Sequence, residues 1–256
     1  VFRPALAALA LALGTAAFAA EPARWAVEPH SRLADAGPAQ SPQVALTLDA
    51  CGGAFDADLL ALLVKRRIPA TVFVTKKWLD RNPAGVAALL AHPELFELQN
   101  HGAAHVPAFI GAGRRVYGIA GQPDLAHLET EVLGAARAIT ALTGQVPQYY
   151  RGATAVYDAA ALKAIPTLGH QVAGFSVNAD AGATLPQAAI VARLKAVQPG
   201  DVVIAHLNKP AGRTAEAFAE ALPALQARGL RFVTLTQAGG LAPVVKASAA
   251  GSRARS

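Results

Sequence analysis

Short apolar, β-branched runs alternate along this chain with stretches of helical periodicity, and no other feature narrows the fold so far. Val44 to Leu48 reads as a strand, Phe55 to Arg67 as a helix and Ala70 to Thr75 as a second strand, which together make a βαβ unit. The pattern continues with a helix over Pro83 to Ala91 and a strand over Phe96 to Asn100. A long amphipathic helix over Leu125 to Thr143 is stopped by Gly144. Strands are predicted at Gln148 to Arg151, Gln171 to Val177, Asp201 to Ala205 and Arg231 to Thr236. Helices separate them at Ala159 to Leu168, Pro186 to Val197 and Ala215 to Arg228. Between strand and helix, Val106 to Pro123 is rich in Gly and Pro and reads as a loop. Seven strands alternating with helices call for an α/β fold with a parallel sheet, closed into a barrel.

A chain of 256 residues, 53% hydrophobic and 16% charged, has ample material for one large core and does not resemble a disordered segment. The barrel domain is expected over residues 43–240, after an irregular lead-in at 21–42 and before a mobile, small-residue basic tail at 241–256. Residues 1–20 read as an export signal: Arg3 is the positive end, Ala5 to Leu13 the apolar core, and Ala17 and Ala19 the small residues of a cleavage site. The mature protein is therefore expected to be exported, periplasmic or secreted, with no stable membrane span once the signal is removed. Cys51 is the only thiol, so no intrachain disulfide can form and stability must come from packing. The formal net charge of +6 is scattered, which suits contact with acidic envelope polymers. Without a basic stripe or an aromatic platform, nucleic acid is not an expected partner. Nothing in the sequence fixes an oligomeric state.

In a parallel α/β fold, functional groups collect on the loops at the carboxyl ends of the strands. Asp49, the pair His101 and His105, Arg151, Asn178 with Asp180, and His206 each follow a different predicted strand. Burying ionisable groups at several strand ends is costly unless they meet one another or a metal. His101 and His105, four apart, can turn to one side and share a divalent ion. Tyr150 and Phe175 are sugar-contacting or core aromatics. No Gly-x-Ser-x-Gly elbow is present, which disfavours a serine esterase.

The runs Val44-Ala-Leu-Thr-Leu-Asp49, Ile68-Pro-Ala-Thr-Val-Phe-Val74, Glu97-Leu-Gln-Asn-His101-Gly-Ala-Ala-His105, Gly144-Gln-Val-Pro-Gln-Tyr-Tyr-Arg151 and Pro199-Gly-Asp-Val-Val-Ile-Ala-His206 resemble, in order and spacing, the polysaccharide deacetylase family of NodB-homology carbohydrate esterases. The resemblance implies a distorted (β/α)7 barrel and metal-dependent removal of acetyl groups from an N-acetylated or O-acetylated cell-wall or envelope polysaccharide, peptidoglycan among them. It implies a divalent cofactor, zinc foremost, with cobalt or nickel as alternatives. His101 and His105 match the family's metal-binding histidines, Asp49 its catalytic base, Arg151 the arginine that orients that base, and His206 its general acid. The family's second aspartate, a metal ligand, is replaced here by Ala50. Asp49 itself, Cys51 or Asp180 are the available substitutes: Asp49 is the expected third ligand or metal-adjacent base, and Asp180 an alternative ligand or base. Two further functions fit the altered motifs, a catalytically inactive glycan-binding member of the fold and a hydrolase of a non-sugar amide.

Overall fold

The computed structural model describes residues 25–34 and 42–243, so the expected signal at 1–20 and the end of the tail lie outside the described residues. Strand β1 (Ser31–Leu33) comes first. The βαβ unit is β2 (Gln43–Ala50), α1 (Ala57–Arg66) and β3 (Ala70–Val74). Two short helices, α2 (Lys76–Arg81) and α3 (Pro83–Leu90), lead to β4 (Phe96–Asn100). The Gly- and Pro-rich stretch holds a small hairpin of β5 (Arg115–Val116) and β6 (Ile119–Ala120). Then come α4 (Leu125–Thr143), β7 (Tyr149–Tyr150), α5 (Ala159–Thr167), β8 (Gln171–Val172) and β9 (Val177–Asn178). The chain continues through α6 (Gln187–Lys195), β10 (Val202–His206), α7 (Thr214–Ala227), β11 (Arg231–Val233) and β12 (Leu241–Pro243).

Eight strands form one sheet in the order β8-β7-β4-β3-β2-β10-β9, with β11 added to the start of β2. Every pair in it is parallel. Its two edge strands, β8 and β9, are separated only by residues 173–176. A link of that length spans no more than about 17 Å, so the sheet must curl until its edges nearly meet. The link is hydrogen-bonded to both sides: Ala173 N–H donates to Tyr150 O at 2.9 Å and Ser176 N–H to Val202 O at 2.9 Å. Gln171 to Val177, predicted as one strand, is thus a strand that changes partners at the seam of a distorted barrel. Gly174 permits the bend, since a Cβ there would lie 2.2 Å from Pro29 O.

Alternation along the strands divides the core in two. Val44, Leu46, Leu48 and Ala50 face outward into the cluster shared with the helices, where Leu59, Leu63, Ile190 and Phe218 also pack. Ala45, Phe73, Val202, Ile204 and Val233 face the barrel interior. The lead-in and tail extend this interior further than the expected limits of 43–240. β1 pairs antiparallel with β12, and Leu33 and Leu241 join the inner cluster. Three-residue strands are too short to show a period, which is why the sequence leaves them irregular.

Candidate metal and catalytic site

Inner-face positions at the carboxyl ends of β2, β4, β7 and β10 carry the polar residues that the sequence singles out. Parallel register sets His206 beside Asp49. Cys51 follows β2 by one residue, two beyond Asp49 and with its parity, whereas Ala50 between them is fully buried against the helices. The loop from Cys51 to Phe55 comes close to the loop after β10. A Cβ on Gly53 would stand 2.2 Å from Asn208 O, and Leu207 N–H donates to Asp49 O at 3.0 Å.

His101 is buried, and its Nδ1 lies 2.6 Å from Arg151 O. A carbonyl at that distance fixes a proton on Nδ1 and turns Nε2 toward the interior, 3.4 Å from Cys51 Sγ and 3.7 Å from Asp49 Oδ2. The His105 ring packs edge-on to that of His101 with centroids 5.0 Å apart. One donor atom each from Cys51, His101 and His105 lie within 4.8 Å of one another, and among the described residues no other His, Cys, Asp or Glu group converges in this way. Three donors of this kind, one of them able to bear a negative charge, suit a tetrahedral zinc-like ion that keeps a position open. Burial opposes ionisation of the Cys51 thiol, but His101, His105 and His206 outweigh it and hold the thiol well below its ordinary range.

Asp49 is engaged elsewhere. Its Oδ1 accepts from Arg151 at 2.8 Å, and the same guanidinium nitrogen donates to Thr47 Oγ1 at 2.8 Å. Asp49, expected as the third ligand or a metal-adjacent base, stands outside the converging group, with one oxygen held by Arg151 and the other 3.7 Å from His101 Nε2. Burial works to raise the Asp49 carboxyl, yet Arg151, His101 and His206 together hold it below the usual range. It is a buried carboxylate, ionised and facing the histidines.

Asp180, an alternative ligand or base in the sequence, has both carboxylate oxygens engaged by His206 and Thr214. It is fully buried, and its Oδ1 lies 2.8 Å from His206 Nδ1. Its Oδ2 accepts from His206 N–H at 2.8 Å and from Thr214 Oγ1 at 3.0 Å. Burial would lower the His206 ring, but the Asp180 hydrogen bond is the first of the contacts that outweigh it, and the ring is pushed up to about 10. Asp180→Asn should bring that titration down toward the ordinary histidine value near 6.5, read by histidine ring NMR of the metal-free protein. The raised pKa also contributes stability that is complete below about 6.5 and lost as pH rises toward 10. A His206 titration unmoved by the substitution would show that Asp180 does not set it.

Arg151 is fully buried, with Nε 3.3 Å from Ala173 O, an NH2 donor 3.3 Å from Gly174 O, and its guanidinium carbon 4.2 Å over the Phe73 ring. Tyr150 and Phe175, sugar-contacting or core aromatics in the sequence, are buried and belong to the core. His170 is buried too, 3.1 Å from Asn100 Nδ2.

The family sequence model described as polysaccharide deacetylase matches residues 36–173, more than half of the chain. The chain belongs to the polysaccharide deacetylase family. A chitooligosaccharide deacetylase of Bradyrhizobium sp. (strain ANU 289) is 28% identical over 199 residues, covering 70% of this chain and 82% of that protein. Among solved structures, a peptidoglycan N-acetylglucosamine deacetylase (Bc1960) bound to a hydroxamate-type benzamide superposes with a TM-score of 0.67 at 21% identity, covering 82% of this chain and 92% of that one. A family pseudoenzyme from Bacillus anthracis superposes with a TM-score of 0.63 at 18% identity, covering 77% of this chain and 65% of that one. At these identities the structural likeness establishes the α/β barrel fold of the family. No helix among the described residues is long and apolar enough to cross a membrane.

Proposed function

We propose that this chain is a metal-dependent hydrolase that removes acetyl groups from an N-acetylated or O-acetylated envelope polysaccharide, with Cys51, His101 and His105 holding the ion. The convergence of those three donors beside Asp49 and His206 carries the reading. The export-signal pattern at residues 1–20 supports action outside the cytoplasm, on wall or envelope material. A bound divalent ion supplies Lewis-acid polarisation at the acetyl carbonyl and favours ionisation of water.

The remaining steps belong to the chain. Asp49, kept ionised by Arg151, accepts a proton from the attacking water as its oxygen bonds to the acetyl carbon. Arg151 leaves the other Asp49 oxygen facing the histidines. His206, protonated at neutral pH, donates its proton to the leaving amine nitrogen or alkoxide oxygen as the bond to the acetyl carbon breaks, releasing acetate. Asp180 holds the His206 ring from behind.

Metal content of protein purified without chelators or a histidine tag tests the reading, together with acetate release from chitin oligomers, peptidoglycan and acetylated xylan. About one ion per chain is expected, lost in a His101→Ala, His105→Ala double variant along with acetate release. A protein that takes up neither zinc nor cobalt and releases no acetate, yet retains these polymers, would instead be the non-catalytic glycan binder. Release from amides lacking a sugar ring would point to the non-sugar substrate.

A further inference from the structure

Glu131 lies on α4, is buried, and forms no ion pair among the described residues. A carboxylate removed from water without a cation must find its stabilisation in hydrogen bonds. It finds them in the loop that carries the two histidines. Oε1 accepts from Ala104 N–H at 3.0 Å and from Val106 N–H at 3.0 Å, and Oε2 from Ala104 N–H at 2.9 Å. The Glu131 backbone carbonyl also accepts from Ala103 N–H at 2.9 Å.

The amides taken by the carboxylate flank His105, whose φ of +66° is unusual for a residue with a Cβ. In that left-handed conformation the His105 ring lies against His101, with centroids 5.0 Å apart. On the other side, the first amides of α2 hold the same loop: Lys76 N–H donates to Gly102 O at 3.1 Å and Lys77 N–H to Ala103 O at 2.9 Å. Glycine at 102 makes room for the carboxylate, because a Cβ there would lie 2.4 Å from Glu131 Oε1.

We propose that Glu131 is a positioning residue for the metal site: it fixes the His101–Val106 loop in the conformation that presents His105 to the ion, so metal affinity depends on a side chain that touches no metal. The proposal rests on Cys51, His101 and His105 forming the site. Outer residues that orient ligands typically set affinity within 10- to 100-fold.

The test measures zinc affinity by chelator competition in wild type, Glu131→Gln and Glu131→Asp, with the melting temperature of each metal-free protein. In Glu131→Gln one acceptor becomes an NH2 facing backbone N–H groups, and zinc affinity should fall roughly 10- to 100-fold, with activity recovering when free zinc is raised. The aspartate, a carboxylate one methylene short, should fall between the two and keeps the test open if the glutamine variant does not fold. A lower melting temperature with zinc affinity within about twofold of wild type would overturn the proposal, leaving Glu131 a purely structural acceptor. Wild-type protein that binds no zinc would overturn the metal site and this proposal together.

Discussion

Cys51→Ala should remove the bound metal and lower deacetylation by about a thousandfold or more. The estimate follows from the several kcal/mol that a Lewis-acid ion contributes at a reacting carbonyl, with each ~1.4 kcal/mol worth a factor of ten. Alanine leaves two imidazoles, His101 and His105, in a group that has three donors. It also removes the one donor of the three that can bear a negative charge. Cys51→Ser tests geometry against chemistry, since a hydroxyl fits the same space but does not ionise near neutral pH; it should behave like alanine. Cys51→Asp keeps a charged donor and should retain metal while shifting its preference toward harder ions. Cobalt-substituted wild type should show the near-ultraviolet charge-transfer absorption of a thiolate ligand, absent from all three variants. A cobalt complex of wild type without that absorption would remove Cys51 from the site while leaving the histidine pair in place.

That residue marks the limit of what the sequence discloses. The βαβ unit, the long helix ended by Gly144 and the strands carrying Asp49, His101, Arg151 and His206 are visible because hydrophobic period and turn residues agree locally. The break between β8 and β9 is not visible, because a bend at the barrel seam depends on Pro29, 145 residues before Gly174. The six residues of α2 are too few to show a period. At the site, all the strand-end polar residues except Asn178 fall on or beside the cluster. Asn178 is exposed, and its side chain accepts from Ala181 N–H at 2.9 Å. Alternation along β2 contains a clue to the third member of the converging group: Cys51 shares the parity of Asp49, and Ala50 does not. Glu131 also leaves a trace, as the one charged residue among Leu128, Val132, Ala135 and Ile139 on the buried stripe of α4. What no pattern gives is its partner, the amides of a loop about twenty-five residues earlier.

Arg151→Met should be the most destabilising single change at the site and should nearly abolish turnover. Arg151 and Asp49 are both buried, and removing one partner of such a pair typically costs about 3–5 kcal/mol because a charge is left without compensation. In a domain of this size that corresponds to a drop in melting temperature of roughly 6–20 °C. The seam adds to the loss, since Ala173 O and Gly174 O both accept from this guanidinium where β8 gives way to β9. The chemical consequence has a definite sign. Without the guanidinium, burial acts on Asp49 with less opposition, its pKa rises, and the acid limb of kcat/KM moves to higher pH. Stability follows the same linkage. A depressed carboxyl stabilises the fold above its unfolded pKa near 3.9 and loses that contribution as pH falls toward its folded value. The variant should therefore lose less stability than wild type on acidification. Adding Asp49→Asn to Arg151→Met neutralises the stranded charge and should restore part of the melting temperature without restoring activity, the coupling expected of a buried pair. Additive losses in the double variant, or an acid limb that stays where wild type has it, would mean that Arg151 braces the barrel seam and leaves the ionisation of Asp49 to the histidines.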